Sequence, residues 1–213
     1  MPWKAFQSAQ GRSMPLFVYA LLITSGDGST TEEPPVAVLQ MRETFRVGLF
    51  GGQVERQATC AEEDWTMVRG IPALVWDALK RELREELAWG FGASISDALL
   101  GGHVQCLRQR SIKPDGTQWQ QFSVCTLLRC RGSVRDVARQ WACSKHMFAE
   151  SRGLVYVTFG EARRWCLPSA EGQPPPVPLQ KSHFNLVRWA MAIVASWKDS
   201  CAYDYARKSC KPL

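Results

Sequence analysis

The segment Pro72-Ala73-Leu74-Val75-Trp76-Asp77-Ala78-Leu79-Lys80-Arg81-Glu82-Leu83-Arg84-Glu85-Glu86-Leu87-Ala88-Trp89 carries the decisive pattern. At ~100° per residue, Val75, Trp76, Leu79, Leu83 and Leu87 fall on one side of a helix, a stripe that seeks a core. Pro72 suits the first helical position, where a proline gives up no hydrogen bond. The charges are sorted as well. With Leu83 at zero, Glu86, Glu82 and Glu85 lie at about −60°, −100° and −160°, and Lys80, Arg84 and Arg81 at about +60°, +100° and +160°. Like charges at these spacings destabilise a helix by a few tenths of a kcal/mol per pair. A solvated face with Arg81 paired to Glu85 at i,i+4 is one explanation of the arc. The other is a cation in front of it, and hard divalent ions with oxygen ligands, Mg²⁺ or Mn²⁺, suit three carboxylates.

Upstream, Leu16 to Ile23 is a strongly apolar strand. A Gly/Ser/Pro-rich loop follows, from Ser25 to Pro35, and Val36 to Met41 is a second strand. Phe45 to Phe50 leads into Gly51-Gly52-Gln53-Val54-Glu55, where the glycines signal a tight turn and a close approach to a ligand. Arg56 to Ile71 is a loop in which Thr59-Cys60-Ala61-Glu62 has capping-box spacing and starts a short helix. Glu62, Glu63 and Asp64 read as its solvated start, and Trp65 as packing.

Downstream, Phe91 to Gly102 is a connector. His103 to Leu107 and Gln120 to Leu128 form paired strands around a Lys113-Pro114-Asp115-Gly116 turn. Arg108, Arg110 and Lys113 gather near Trp119, an arrangement able to hold phosphates and stack a base. Val134 to Cys143 is a helix, Gly153 to Phe159 a strand, and Glu161 to Trp165 a short helix. Ser182 to Trp197 is a densely apolar last helix, packed on the sheet or at a subunit contact. His103, His146 and His183 are far apart in sequence and read as structural.

The 213 residues allow one domain with a full core, and 46% hydrophobic with 22% charged residues fit a soluble globular protein. No apolar run reaches the ~18 residues of a membrane span, so no membrane partner is expected. Eight cysteines without a CxxC pair read as free thiols of an intracellular, reducing compartment, with no zinc site. Nucleus or cytoplasm is expected. The first 26 residues, with Lys4 and Arg12 and no acid, also share the bias of a mitochondrial presequence. A net charge of +6 is compatible with a polyanionic partner such as RNA or a nucleotide.

Gly51-Gly52 after a strand, then Arg81-Glu82-Leu83-x-Glu85-Glu86 on a helix, resembles the Nudix box. Val38 to Arg42, Gly48 to Gly52 and Lys80 to Leu87 are similar to the snoRNA-decapping and inosine diphosphatase subfamily, the Nudix motif 16 type. So are Glu150 to Val157 and Lys181 to Phe184. The resemblance covers roughly residues 16 to 195. It implies an α/β fold, a Nudix α/β/α sandwich with a mixed central sheet and a single domain. The domain would span 14–200, with an insertion at about 56–71, a lead-in at 1–13 and a basic tail at 201–213. It implies two or three Mg²⁺ or Mn²⁺ ions held by Glu82, Glu85, Glu86 and the Gly51 carbonyl. Glu85, Glu86 and Glu150 would be catalytic. Tyr19, Arg42, Gln53 and Trp119 would meet the substrate.

Three departures stand out. Between Gly52 and Arg81 lie twenty-eight residues (53–80) where the box has thirteen, so fifteen are additional. Ala58 occupies the place of the first box glutamate, and Ala88 that of the closing glycine. In the base pocket, Tyr19 stands for a histidine, Leu49 and Gln53 for aromatics, and Leu186 and Ala190 for polar residues of the last helix. The implied activity is removal of RNA caps or hydrolysis of a nucleoside diphosphate, with FAD or CoA derivatives as further substrates. The rival is a catalytically silent RNA-binding or assembly subunit of a ribonucleoprotein complex, and a homodimer is the other expected assembly.

Overall fold

A computed structural model describes residues 15–24, 36–55, 66–68, 71–88, 99–112, 116, 118–130, 133–144, 151–166, 178–180 and 183–196. The strand that organises it is β1 (Leu16–Thr24). Successive side chains of a strand point to opposite faces, and both faces of β1 are apolar. Leu16, Val18, Ala20 and Leu22 enter one core; Tyr19, Leu21 and Ile23 enter another on the far side. A strand apolar on both faces needs cover on both, and that requirement gives three layers.

Around β1 the sheet is mixed. β8 (Gln118–Arg129) runs parallel to it, from Leu16 opposite Phe122 to Ile23 opposite Arg129. β2 (Val36–Arg42) and β4 (Phe50–Gln53) pair with it antiparallel, β4 placing Gly51 opposite Tyr19. β3 (Val47–Gly48) and β9 (Ser151–Val157) flank β2, and β7 (Leu99–Ile112) closes the other side against β8. The β7–β8 hairpin is longer than its apolar patterning suggests, because β8 is already fixed along β1 and offers β7 its whole second edge. Gly116 in its turn has φ +79°, which a glycine adopts without strain.

The first face is covered by α1 (Ala73–Leu87), which buries Val75, Trp76, Ala78, Leu79, Leu83 and Leu87. This is the stripe read from the sequence, with Ala78 added. α2 (Val134–Ala142) joins that core through Val137 and Trp141 and is started by a capping box between Ser133 and Asp136. The opposite face is covered by α3 (Phe159–Cys166) and α4 (Phe184–Ser196), which contribute Ala162, Leu186, Val187, Ala190, Met191 and Val194. The α/β/α sandwich with a mixed central sheet is therefore the observed architecture.

One local expectation changes. Pro72 is the N-cap of α1, not its first residue, because it belongs to a short pairing of β5 (Met67–Val68) with β6 (Ile71–Pro72). Phe45 to Phe50 is broken into a turn and two short strands. The helix expected near Thr59, with Glu62, Glu63, Asp64 and Trp65, lies outside the described residues. Among the described residues no helix is long and apolar enough to cross a membrane, and Cys106, Cys125, Cys130 and Cys143 are free thiols.

α1 ends at Ala88 with φ 46° and ψ 35°, the left-handed C-cap conformation that favours glycine over any residue with a Cβ. Ala88→Gly is expected to raise unfolding stability by about 0.5–1 kcal/mol, the relief of that strain less the entropy a glycine adds to the unfolded chain. Urea denaturation of the two proteins measures it. A less stable variant would show that the cap is not strained.

Candidate active site

The site lies where α1 crosses β4. Gly51 has φ +123°, and a Cβ there would collide with the Val18 carbonyl oxygen of β1. A Cβ on Gly52 would collide with the Glu82 carboxylate. The two glycines are thus required for different reasons. The first lets β4 bend against β1, and the second lets a helical glutamate lie on the strand backbone. The close approach expected at this pair is made, in the described structure, by the chain's own Glu82.

Glu86 is 5% exposed, and its carboxylate is surrounded by donors. Oε2 accepts the Gly51 amide at 2.8 Å. Oε1 accepts Gln40 Nε2 at 2.8 Å and forms an ion pair with Arg42 Nη1 at 2.9 Å. Burial pushes Glu86 up to about 7; Arg42, the Gln40 amide and the Gly51 amide pull the other way, and the nearby Glu82 adds to the rise. Arg42 Nη2 also reaches the carbonyls of Gly51 at 3.3 Å and Leu49 at 3.4 Å. Three strand residues, the Leu49 carbonyl between β3 and β4, and one helical glutamate form a single polar knot in an otherwise apolar interface.

Glu82 Oε1 is paired with Arg81 Nη2 at 2.8 Å. The same guanidinium donates to the Gln53 carbonyl at 2.9 Å and to Glu55 at 3.0 Å. The solvated-face explanation assigned Arg81 to Glu85; instead it clamps the end of β4 to the helix and holds Glu82 over Gly52. Glu55, three residues after Gly52, supplies a carboxylate on the strand side where Ala58 cannot. Its side chain is 79% exposed, so the pair adds orientation more than stability.

The donor chemistry of this corner fits a hard divalent cation. Glu82, Glu86 and the Gly51 carbonyl all offer oxygen donors where α1 meets β4, with no sulfur or imidazole among them. Among the described residues no three His, Cys, Asp or Glu side chains are gathered tightly enough to hold an ion as they stand. The negative charge is balanced by Arg42 and Arg81.

The other sequence-derived site residues are spread more widely. Tyr19 is 5% exposed and faces the second core, stacked on Phe17 at 6.1 Å and tilted against His183 at 4.2 Å. Burial pushes its phenol well above the ordinary range. Gln53 is exposed at the end of β4. Trp119 pairs with Ser111 through the β7–β8 ladder; its side chain, and all of Glu150, lie outside the described residues. In the same hairpin the exposed Arg108 donates to Gln120 Oε1 at 2.6 Å. Leu186 and Ala190, which take the place of polar pocket residues, are core.

Gln40 and Glu55 are site residues that the sequence reading passed over, and His183, read as structural, accepts the Leu49 amide beside the site. Gln40 had a usable signal. It is a polar break in an apolar strand, two residues from Arg42 and so on the same face. His183 had none, since its partner, the Leu49 amide donating to Nδ1 at 3.1 Å, is more than a hundred residues away.

No family model matches the sequence, and no curated protein matches it. Solved structures overlap it more broadly. A Nudix hydrolase from M. smegmatis is 14% identical, with 85% of this chain and 88% of that one covered at a TM-score of 0.42. The binary complex of a C. elegans Ap4A hydrolase is 11% identical, with 86% and 100% covered at 0.46. A MutT/nudix family protein from Enterococcus faecalis is 11% identical, with 96% and 72% covered at 0.47. Overlaps at this level leave the functional reading to rest on the residues of this chain.

His183 gives a pH prediction. Its burial, with Arg42 nearby, lowers its pKa to about 3, against 6.5 in an unfolded chain. The unfolded state alone takes up the proton between those values. The stability that the neutral ring contributes is therefore whole above about pH 6.5 and is lost as pH falls towards 3. His183→Gln keeps an acceptor for the Leu49 amide and cannot titrate. Urea midpoints at pH 7, 5 and 4 are expected to fall less steeply in the variant, by on the order of a few kcal/mol over that window. Parallel pH curves would refute it.

Proposed function

We propose that this protein is a divalent-metal-dependent hydrolase of the Nudix type, which cleaves a phosphoanhydride in capped RNA or in a nucleoside diphosphate. The observation that carries the reading is the placement of Glu82 and Glu86 on the Gly51–Gly52 backbone, with Arg42 against Glu86. Glu82, Glu85, Glu86 and the Gly51 carbonyl would hold Mg²⁺ or Mn²⁺, two or three ions in all. When bound, such ions supply a water of lowered pKa and neutralise charge that develops on the phosphates.

The chain's own residues do the rest. Gln40 and the Gly51 amide fix the orientation of Glu86, and Arg81 fixes that of Glu82. A positioned carboxylate keeps its geometry as charge moves, which is what preorganisation requires. Arg42 orients a phosphate through charge-assisted hydrogen bonds. Glu85 or Glu150 takes the proton from the attacking water. Gln53, exposed at the strand end, and Trp119 meet the nucleotide. Tyr19 supports the site from the second core.

The test uses the full chain with Mg²⁺ or Mn²⁺ on capped RNA, inosine diphosphate, FAD and dephospho-CoA in separate reactions. At least one is expected to be hydrolysed, and Glu82→Gln and Glu86→Gln are each expected to lower that rate by about 100-fold or more. Circular dichroism checks that the variants fold. If the folded variants match wild type on every substrate, the hydrolase reading fails, and salt-sensitive RNA binding is the property to measure next.

A further inference from the structure

Among the oxygens assigned to metal, those of Glu86 and the Gly51 carbonyl are engaged by donors of the protein itself. Glu86 Oε1 takes Arg42 Nη1 and Gln40 Nε2, Glu86 Oε2 takes the Gly51 amide, and the Gly51 carbonyl takes Arg42 Nη2. Two of these donors are neutral and would serve a metal-bound carboxylate equally well. Arg42 is different. Its planar fork spans both the Glu86 carboxylate and the Gly51 carbonyl, two of the groups that would hold a cation. A guanidinium and a divalent ion held on the same oxygens repel each other, and the repulsion is strong in a buried setting.

Arg42 is also placed where it can leave. It is the last residue of β2, and the β2–β9 register shifts between Met41 and Arg42. Its side chain is 16% exposed, and the turn beyond it, Glu43 to Arg46, is exposed throughout. Glu86 by contrast is fixed in the helix.

We propose that Arg42 is an internal counter-ion that holds the site closed, so that a divalent ion enters only by displacing it. The released guanidinium is then directed outward to a substrate phosphate, and one side chain couples ion entry to substrate binding. This rests on the hydrolase reading, whose failure the experiment separates from its own.

Full-length protein with ¹⁵N-labelled arginine is titrated with Mg²⁺ while occupancy is followed by calorimetry. The Arg42 side-chain signal, identified by its loss in Arg42→Lys, is expected to be protected in the metal-free protein. It should move and exchange with solvent in step with occupancy. Arg42→Gln is expected to bind Mn²⁺ about tenfold more tightly than wild type, with Arg42→Lys between them. Ion binding with the Arg42 signal unmoved overturns the proposal and leaves the hydrolase reading intact, as does equal or weaker Mn²⁺ binding by both variants. No ion binding by wild type or either variant overturns both. If neither variant folds, the Arg42 signal is assigned by through-bond spectra of uniformly labelled wild type, and that titration decides the matter alone.

Discussion

A carboxylate taken out of water must be answered by donors, and Glu86 is answered three times. Its partners come from β2 (Gln40 and Arg42) and from the backbone of β4 (Gly51). Leaving such a group with a missing partner costs on the order of 3–5 kcal/mol. The hydrophobic stripe of α1 attracts the helix to the sheet without direction, and many rotations about its axis would bury nearly as much. The Glu86 bonds select one of them. They also fix how β2 and β4 stand to each other, since both must present donors to the same two oxygens.

That constraint explains why the polar knot sits where it does. β1 divides two apolar cores, and β2 and β4 both pair with it. The knot lies at their junction, under α1, whose acidic arc is turned towards the sheet. His183 braces the same junction from the other face, binding the Leu49 amide next to β4. Side chains of opposite faces therefore hold one strand segment, 48–52, between them. A site meant to orient phosphates benefits from such support, because its ligands are carried by a helix and strands rather than by loops.

The glycines and Arg81 show how local chemistry yields to this geometry. Gly51 and Gly52 suggest a turn when read as a pair, yet both lie in β4. One is needed for backbone conformation and the other for the closeness of Glu82. Arg81 lies about 100° from Glu82 on a helical wheel, but its long side chain reaches Glu82, Gln53 and Glu55. Angular position on a wheel fixes where Cα sits, not where a five-bond side chain ends.

The sequence by itself determined the layers and most of the elements. The unbroken apolar run of Leu16–Thr24 and the stripe of Ala73–Leu87 are properties of neighbouring residues, and burial obeys them locally. It also determined that Glu82 and Glu86 share an arc, because helical pitch is fixed. Only the tertiary structure decided what answers that arc. Gln40 and Arg42 share one strand, but Gly51 and His183 come from other segments, and no periodicity links those segments to each other or to α1. Their meeting depends on strand order and register, which are set by the whole sheet, so the partners of a buried charge become readable only once the sheet is assembled.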